Sequence, residues 1–168
     1  MKTFLALVFT ALISLPAHAM DGSWFGVGGA YESLSSGGRE TGAGLTLEGG
    51  YWYLGNVAYG GYFKSSFLGE NDRVPGSTLN LYDLGAFLKA GTEAGLYGKI
   101  QLGLGIVDGN TAGLRLSDGL GLSFGLGGGF LFPVTDTFHI GPEVIYRHLT
   151  AGDGGDQISI GALVAYGF

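Results

Sequence analysis

The chain has 168 residues, which is enough for one domain, and carries a net charge of −6 with only 13% charged residues. The acidic balance excludes nucleic acid as a partner, because phosphate binding requires clustered lysine and arginine. The sequence contains no cysteine and three histidines, so it predicts neither disulfide bonds nor a metal site, and no cofactor is expected.

The first predicted element is an apolar segment at the N-terminus. Lys2 precedes an apolar run over residues 4–15, and Pro16 ends it. Residues 17–19 are Ala-His-Ala, the small-x-small pattern at which signal peptides are cleaved. We therefore expect a cleaved signal peptide over 1–19 and a barrel domain over 20–168. The alternative is an anchor helix, for which the run is short, because a membrane span needs roughly 20 apolar residues.

After this segment, apolar residues recur with a period of two and are interrupted at regular intervals by glycine and polar residues. This alternation indicates β-strands rather than helices. Eight strands are predicted, at 23–32, 41–53, 57–67, 77–90, 96–107, 119–132, 138–149 and 157–168.

The connections between these strands alternate in length. Those at 54–56, 91–95 and 133–137 are short. Outer-membrane β-barrels have short periplasmic turns and long outer loops, and an even number of strands puts both termini on the periplasmic side. The long, polar connections are at 33–40, 68–76, 108–118 and 150–156.

Each predicted strand has one face that carries no charged residue. In the fifth strand, Ile100, Leu102 and Leu104 alternate with positions that include Lys99 and Gln101. If such large apolar side chains pointed inward, they would overfill a barrel of eight strands, and the outside would carry few charges for a soluble surface. Pointing outward, they meet lipid, where a misplaced charge costs roughly 2–4 kcal/mol.

We therefore predict an all-β fold, a closed antiparallel up-and-down transmembrane β-barrel of eight strands. Closure is required because an open sheet edge in hydrocarbon leaves backbone groups unpaired. Trp24 and Trp52 fall on the inward face and are expected to fill the lower lumen. Pro142 removes a ladder donor in mid-strand, so a β-bulge is expected there. Outward aromatic residues are expected to form a girdle at the periplasmic end. They are Phe25, Tyr51, Tyr53, Tyr59, Phe130, Phe132, Phe138, Tyr166 and Phe168.

The last strand ends in a pattern of its own. Phe168 is terminal, and Tyr166, Val164, Ala162 and Ile160 precede it at alternate positions. This ending resembles the assembly signal of outer-membrane barrels, and the chain resembles the small eight-stranded barrels, of which the transmembrane domain of outer membrane protein A is an example.

This resemblance implies a location in the bacterial outer membrane. It also implies contact with outer-membrane lipid and lipopolysaccharide, and recognition of the last strand by the barrel-assembly machinery. We expect a monomer. No peptidoglycan-binding domain follows the predicted barrel, so no tether to the cell wall is expected.

The inward faces carry four acidic and four basic residues. Because an unpaired buried charge is very costly, these residues are expected to pair. They form either a salt-bridged plug that stops conduction or a gated pore whose pairs exchange partners. An eight-stranded interior is only wide enough to be filled by side chains, which favours the plug. The residues are Glu32, Glu48, Lys64, Asp83, Lys89, Lys99, Glu143 and Arg147.

A candidate catalytic group lies at the outer end of the seventh strand. His148 and Thr150 are followed by Asp153 and Asp156, and a histidine, a hydroxyl and an acid can form a hydrolytic triad. The group resembles the lipid A deacylase barrels, which carry a His-x-Ser motif near the end of the chain. His148 matches that motif, whereas Thr150 stands where the family has serine. The alternative is an interfacial histidine beside a turn.

Three functions are thus open. The leading hypothesis is a non-conducting outer-membrane protein with a structural role in the envelope or a role in surface interaction. The alternatives are a lipid A-modifying hydrolase at the outer leaflet and a small gated pore.

Overall fold

The computed structural model describes residues 22–35, 39–53, 56–69, 77–92, 95–111, 114–151 and 154–168. The expected signal peptide lies outside these residues, so its cleavage stays a prediction. Among the residues described, no helix is long and apolar enough to cross a membrane.

The described chain forms nine strand segments in one antiparallel sheet. Segments β6 and β7 both pair with β8 and act as one strand of the wall, and β1 pairs with β9. The prediction of a closed antiparallel barrel of eight strands is therefore confirmed. The segments are β1 (Gly22–Ser35), β2 (Arg39–Tyr53), β3 (Val57–Leu68), β4 (Ser77–Gly91), β5 (Leu96–Thr111), β6 (Leu114–Phe130), β7 (Phe132–Pro133), β8 (Phe138–Leu149) and β9 (Gly155–Gly167).

The two ends of the barrel differ, and we name them by their connections. The turn end carries the connections β2–β3, β4–β5 and β7–β8, and the loop end carries β1–β2, β3–β4, β5–β6 and β8–β9. At the loop end the ladders run further than the sequence predicts, because β1–β2 pair out to Ser35 and Arg39, and β5–β6 out to Thr111 and Leu114. Most of 33–40 and 108–118 is thus strand rather than loop. Backbone pairing does not need apolar side chains, so the ladder continues where the apolar alternation stops.

The wall is interrupted opposite Pro142. Gly129 pairs with Glu143, and Phe132 pairs with Ile140, so two residues on each strand between these pairs have no ladder partner across this seam. The register is the same on both sides of the gap, so the bulge expected at Pro142 is instead an interruption without an inserted residue. Proline has no N–H to donate, which accounts for a gap at this position.

The outer surface of the barrel is apolar. Leu102 and Leu120, for example, are 62% and 70% exposed, and the aromatic residues of the turn-end girdle include Phe168 at 75%. The structure does not describe the side chains of residues 39, 77 and 110–118. Among the side chains that it does describe on the outer face, the charged ones are Asp108 and Asp156, and both lie at the loop end. Such an exposed apolar band is stable against lipid rather than water.

Candidate functional site: the closed lumen and an outer polar cluster

Inward side chains fill the barrel in three layers along its axis, with a polar layer between two apolar ones. The apolar layer at the turn end, which we call the turn-end plug, contains the two tryptophans, Trp24 and Trp52, only 2% and 5% exposed. They lie in the lower lumen, where the sequence predicts them. The turn-end plug consists of Trp24, Trp52, Ala58, Tyr62, Phe87, Tyr97, Leu131, Leu163 and Ala165.

A second apolar layer closes the loop end, and we call it the loop-end plug. Its members are inward residues near the points where four strands reach the loops. Since apolar side chains in contact exclude water, the plug separates the polar layer from the solvent at the loop end. The loop-end plug consists of Leu34, Leu68, Leu81 and Leu149, with Leu79 and Val107 packed against it.

The part of the polar layer nearest the turn end is built around two carboxylates. Lys99 Nζ lies 2.5 Å from Oε2 of Glu48 and 3.1 Å from Oε2 of Glu143. Lys89 pairs with Oε1 of Glu48. The hydroxyl of Tyr97 donates to Oε2 of Glu143 at 2.7 Å. Two ammonium groups therefore balance two carboxylates.

Lys89 also connects this layer to the turn-end plug. Its Nζ lies 4.3 Å from the ring centroid of Trp24 and 4.9 Å from that of Tyr97, in cation–π contact. The side chain is fully buried. The aromatic rings thus supply favourable contacts to an ammonium group that has left water.

The centre of the polar layer is an ion pair between Asp83 and Arg147. Arg147 Nε lies 3.1 Å from Oδ2 of Asp83, without hydrogen-bond alignment. Ser123 donates to Oδ1 of Asp83 at 2.8 Å, and the Tyr62 hydroxyl donates to Oδ2 at 3.1 Å. Arg147 Nη2 donates to Oε1 of Gln101 at 3.0 Å. The guanidinium is therefore held from several strands.

Gln157 links this centre to the part of the layer nearest the loop end. Its Oε1 accepts a hydrogen bond from Arg147 Nη1 at 3.1 Å, and its Nε2 donates to Oε2 of Glu32 at 2.8 Å. Lys64 Nζ lies 2.6 Å from Oε1 of Glu32 and donates to Ser159 Oγ at 2.5 Å. Charges on strands far apart in the chain are thus joined through neutral side chains.

The structure places all eight charged residues singled out from the sequence in the lumen, each in an ion pair. Sequence reasoning missed the neutral members of the network. They lie on the same inward face as the charges, so the alternation of residues along each strand would have identified them as inward. Their lack of charge gave no reason to select them. They are Tyr62, Tyr97, Gln101, Ser123, Gln157 and Ser159.

Two glycines make room for buried carboxylates. A Cβ on Gly44 would overlap the carboxylate of Glu32, and a Cβ on Gly103 would lie 2.6 Å from Oδ1 of Asp83. The high glycine content of the inward faces therefore serves packing, since the network needs backbone without side chains beside it.

A small cavity of about 20 Å³ remains within the polar layer. Lys64, Glu143 and Arg147 line it, together with small residues of β1 and β9. A volume of this size holds one or two water molecules. It lies between the two plugs.

The candidate catalytic residues lie outside the lumen, on the outer face at the loop end. Asp156 Oδ1 is 2.8 Å from Nδ1 of His148 and accepts a hydrogen bond of 2.7 Å from the Tyr146 hydroxyl. Both hydrogen bonds lower the pKa of the Asp156 carboxyl, and the one with His148 has the larger effect.

The structure does not bring Thr150 into this cluster. Its Oγ1 accepts a hydrogen bond from the backbone N–H of Leu122 at 2.8 Å and donates to the Leu122 carbonyl at 3.3 Å. Asp153 lies outside the described residues. Among the residues described, no group of three or more histidine, aspartate or glutamate side chains is placed to hold a metal ion.

The residues of the expected assembly signal lie on the outer face of β9 and at its end. Phe168 N donates to the carbonyl of Ser23, which ties the terminal residue to β1. Tyr166 and Phe168 stack with ring centroids 6.3 Å apart. β9 forms ladders with both β1 and β8, so it closes the barrel. The signal residues are Ile160, Ala162, Val164, Tyr166 and Phe168.

No family model matches the sequence. No curated protein matches it either. Solved structures, however, share its fold. Neisserial surface protein A (NspA) is 17% identical with a TM-score of 0.72, and the alignment covers 88% of this chain and 98% of that one.

Two further solved structures are similar, with lower TM-scores. Ail, the attachment invasion locus protein of Yersinia pestis, is 19% identical with a TM-score of 0.58, covering 88% of this chain and all of that one. The outer membrane protein OprG of Pseudomonas aeruginosa is 12% identical with a TM-score of 0.55, covering 89% and 98%. The predicted resemblance is thus confirmed for the fold, which is that of the small outer-membrane β-barrels.

Proposed function

We propose that this protein is a non-conducting outer-membrane β-barrel that acts in envelope structure or surface contact. The observation that carries the proposal is the closed lumen, in which a polar layer whose eight predicted charges are all in ion pairs lies between two apolar plugs. Ions crossing the barrel would have to displace both plugs and separate buried ion pairs. Removing one partner of a buried pair costs about 3–5 kcal/mol, so such opening is strongly opposed.

Conductance in a planar bilayer tests this proposal against the gated-pore alternative. The refolded protein should insert and produce no stable current steps over a wide range of voltage. A variant of a lipid-facing residue, Leu102→Ala, serves as the matched control and should behave in the same way. Regular current steps from the folded wild-type protein would overturn the proposal and support the pore.

We also propose that the last strand directs assembly and that the barrel is a monomer. Phe168 and Tyr166 support the first point, because they lie on the outer face at the end of the closing strand. Phe168→Ser should lower the amount of folded barrel in the outer-membrane fraction of cells, with Tyr59→Ser, another exposed girdle residue, as the control. Equal amounts for both variants would contradict the assembly role.

A role in surface contact draws on the similar proteins. One of them is named a surface protein, and Ail has been solved with the heparin analogue sucrose octasulfate. In this chain, the segments that join the strands at the loop end contain Glu70, Asp72, Arg73 and Asp153 as their charged residues. Because this set is acidic, it would repel a polyanionic ligand such as the one solved with Ail.

A lipid A-modifying hydrolase is the second candidate, and the pairing of His148 with Asp156 favours it. A carboxylate that holds Nδ1 of a histidine is one part of a catalytic triad. The hydroxyl expected as nucleophile, on Thr150, is bonded to the backbone of β6 instead.

Lipid A from cells that overproduce the protein should be compared by mass spectrometry with lipid A from empty-vector cells. Loss of an acyl chain that disappears with His148→Ala would support the hydrolase. An unchanged spectrum, with the protein folded in the outer membrane, would remove this candidate and leave the closed barrel.

A further inference from the structure

The hydrogen-bonded cluster of Tyr146, His148 and Asp156 lies on the lipid-facing side of the barrel. Its charged member, Asp156, pairs across β9 and β1 with Ser35, the last residue of β1. The side chains of His148 and Asp156 are 55% and 51% exposed. The cluster therefore sits at the boundary between the apolar band and the loop end, where lipid headgroups lie in the outer leaflet.

Asp156 and His148 each have hydrogen-bonding capacity left over. Both hydrogen bonds to Asp156 use Oδ1, and Asp156 Oδ2 has no hydrogen-bond partner among the described residues. His148 is held through Nδ1, and its Nε2 has no partner among the described residues. Asp156 Oδ2 can accept from a hydroxyl or an amide, and a second group can bond to the imidazole.

Apolar side chains continue directly from the cluster toward the middle of the barrel. The next outward row, two residues further along each strand, holds Leu126 and Ile158 on either side of Tyr146. The row after it holds Val144 and Ile160. All four apolar side chains are exposed. Three neighbouring strands therefore carry a polar cluster at the loop end, and a continuous apolar track runs from it toward the turn end.

We propose that this surface is a docking site for an acylated sugar lipid of the outer leaflet, held by hydroxyl or amide groups on Asp156 and His148 with an acyl chain along the apolar track. The proposal rests on the outer-membrane location proposed above, and it requires no hydrolysis.

The charge of the cluster selects the part of the lipid that it recognises. A phosphate would be repelled by the exposed carboxylate of Asp156. Hydroxyl and amide groups of a sugar are donors without charge, and an ionised carboxylate is their strongest acceptor. The site therefore fits the sugar of a glycolipid better than a phosphate.

Native mass spectrometry of the barrel in phosphatidylcholine nanodiscs tests the proposal, with purified lipid A as the probe in its phosphorylated and its dephosphorylated form. The wild-type protein should retain both forms. Asp156→Asn should lower retention roughly tenfold to a hundredfold, the loss expected for one hydrogen bond to an ionised group. His148→Ala and Tyr146→Phe should act in the same direction.

The matched control is Asp108→Asn, which removes the same charge from another exposed position at the loop end and should leave retention unchanged. Heat-modified migration in gels shows that each variant is folded. Equal retention by folded Asp156→Asn and wild type would overturn the proposal. So would retention that needs the phosphates or is abolished by a chelator of divalent cations. Failure of the proposed location would appear separately, as protein absent from the outer-membrane fraction of cells.

Discussion

Lys99 shows how a single residue holds the lumen together. Its ammonium group lies between Glu48 on β2 and Glu143 on β8, so one side chain bridges strands on different sides of the barrel. The other partners of these carboxylates, Lys89 and Tyr97, lie on β4 and β5. Removing Lys99 would leave two buried carboxylates with fewer partners, and the cost of desolvating them would remain.

Lys99→Ala is therefore expected to lower the free energy of unfolding by about 3 kcal/mol. The measurement is the unfolding midpoint in urea for the barrel refolded into lipid vesicles. The double variant Lys99→Ala with Glu143→Gln should recover part of the loss, because one of the two buried carboxylates that lose Lys99 becomes neutral. An unchanged midpoint for Lys99→Ala would count against the network.

The glycines allow a second comparison between matched residues. Gly44→Ala would place a methyl group on the buried carboxylate of Glu32, whereas Gly29→Ala, on the outer face, would meet no atom within 4 Å. We expect Gly44→Ala to cost roughly 1–3 kcal/mol in unfolding free energy, and Gly29→Ala to change it by no more than about 0.5 kcal/mol. Equal effects in the same unfolding assay would show that the packing around Glu32 is looser than described.

Among the elements, the β8–β9 hairpin is the one that joins the lumen network to the outer cluster. Arg147 and Gln157 face the lumen, and their neighbours His148 and Asp156 form a pair on the outer face. Alternate residues of one hairpin thus contribute to two separate sites. This follows from the period of two, because successive side chains in a strand point to opposite faces.

The hydrogen bonds to Asp156 make the loop end of this hairpin sensitive to acid. Since its pKa is lowered in the folded protein, the carboxylate stabilises the hairpin end at pH values above the unfolded pKa, roughly 4. This contribution is lost as the pH falls through the lower folded value. Amide exchange near residues 148–156, measured relative to the intrinsic rate at each pH, should therefore become faster in acid for wild type but not for Asp156→Asn. A pH response shared by both proteins would assign the effect to other groups.

The whole molecule has an inverted distribution of polarity, with apolar residues outside and ion pairs inside. This arrangement makes the effect of a charge depend on its depth. Leu102 lies midway along β5, and Leu96 begins the strand at the turn end. Both leucines are similarly exposed, so they differ chiefly in their position along the barrel.

Leu102→Arg should cost roughly 2–4 kcal/mol in unfolding free energy in a bilayer, whereas Leu96→Arg should cost about 0–1 kcal/mol. The physical reason is that a charge near the interface reaches water, while one at mid-membrane does not. Folding from urea into lipid vesicles measures both. Similar costs at the two positions would contradict the assigned depth of the barrel in the membrane.

The sequence by itself determined the strands, the direction of their faces and the closure of the barrel. These features follow from local alternation, from side-chain volume and from the cost of unpaired backbone in lipid, none of which needs a partner residue to be known. Thus Glu48 and Lys99 could be placed in the lumen from their parity alone. The extent of the strands at the loop end was missed, because paired backbone there carries polar side chains.

Only the tertiary structure decided which side chains meet. Glu32 and Gln157 are 125 residues apart, and they bond because β1 pairs with β9 when the barrel closes. At the outer cluster, the ladder places Asp156 opposite His148 but ties Thr150 to β6. Register across the ladder and closure of the ring set these distances, and neither is encoded in the spacing of residues along one strand.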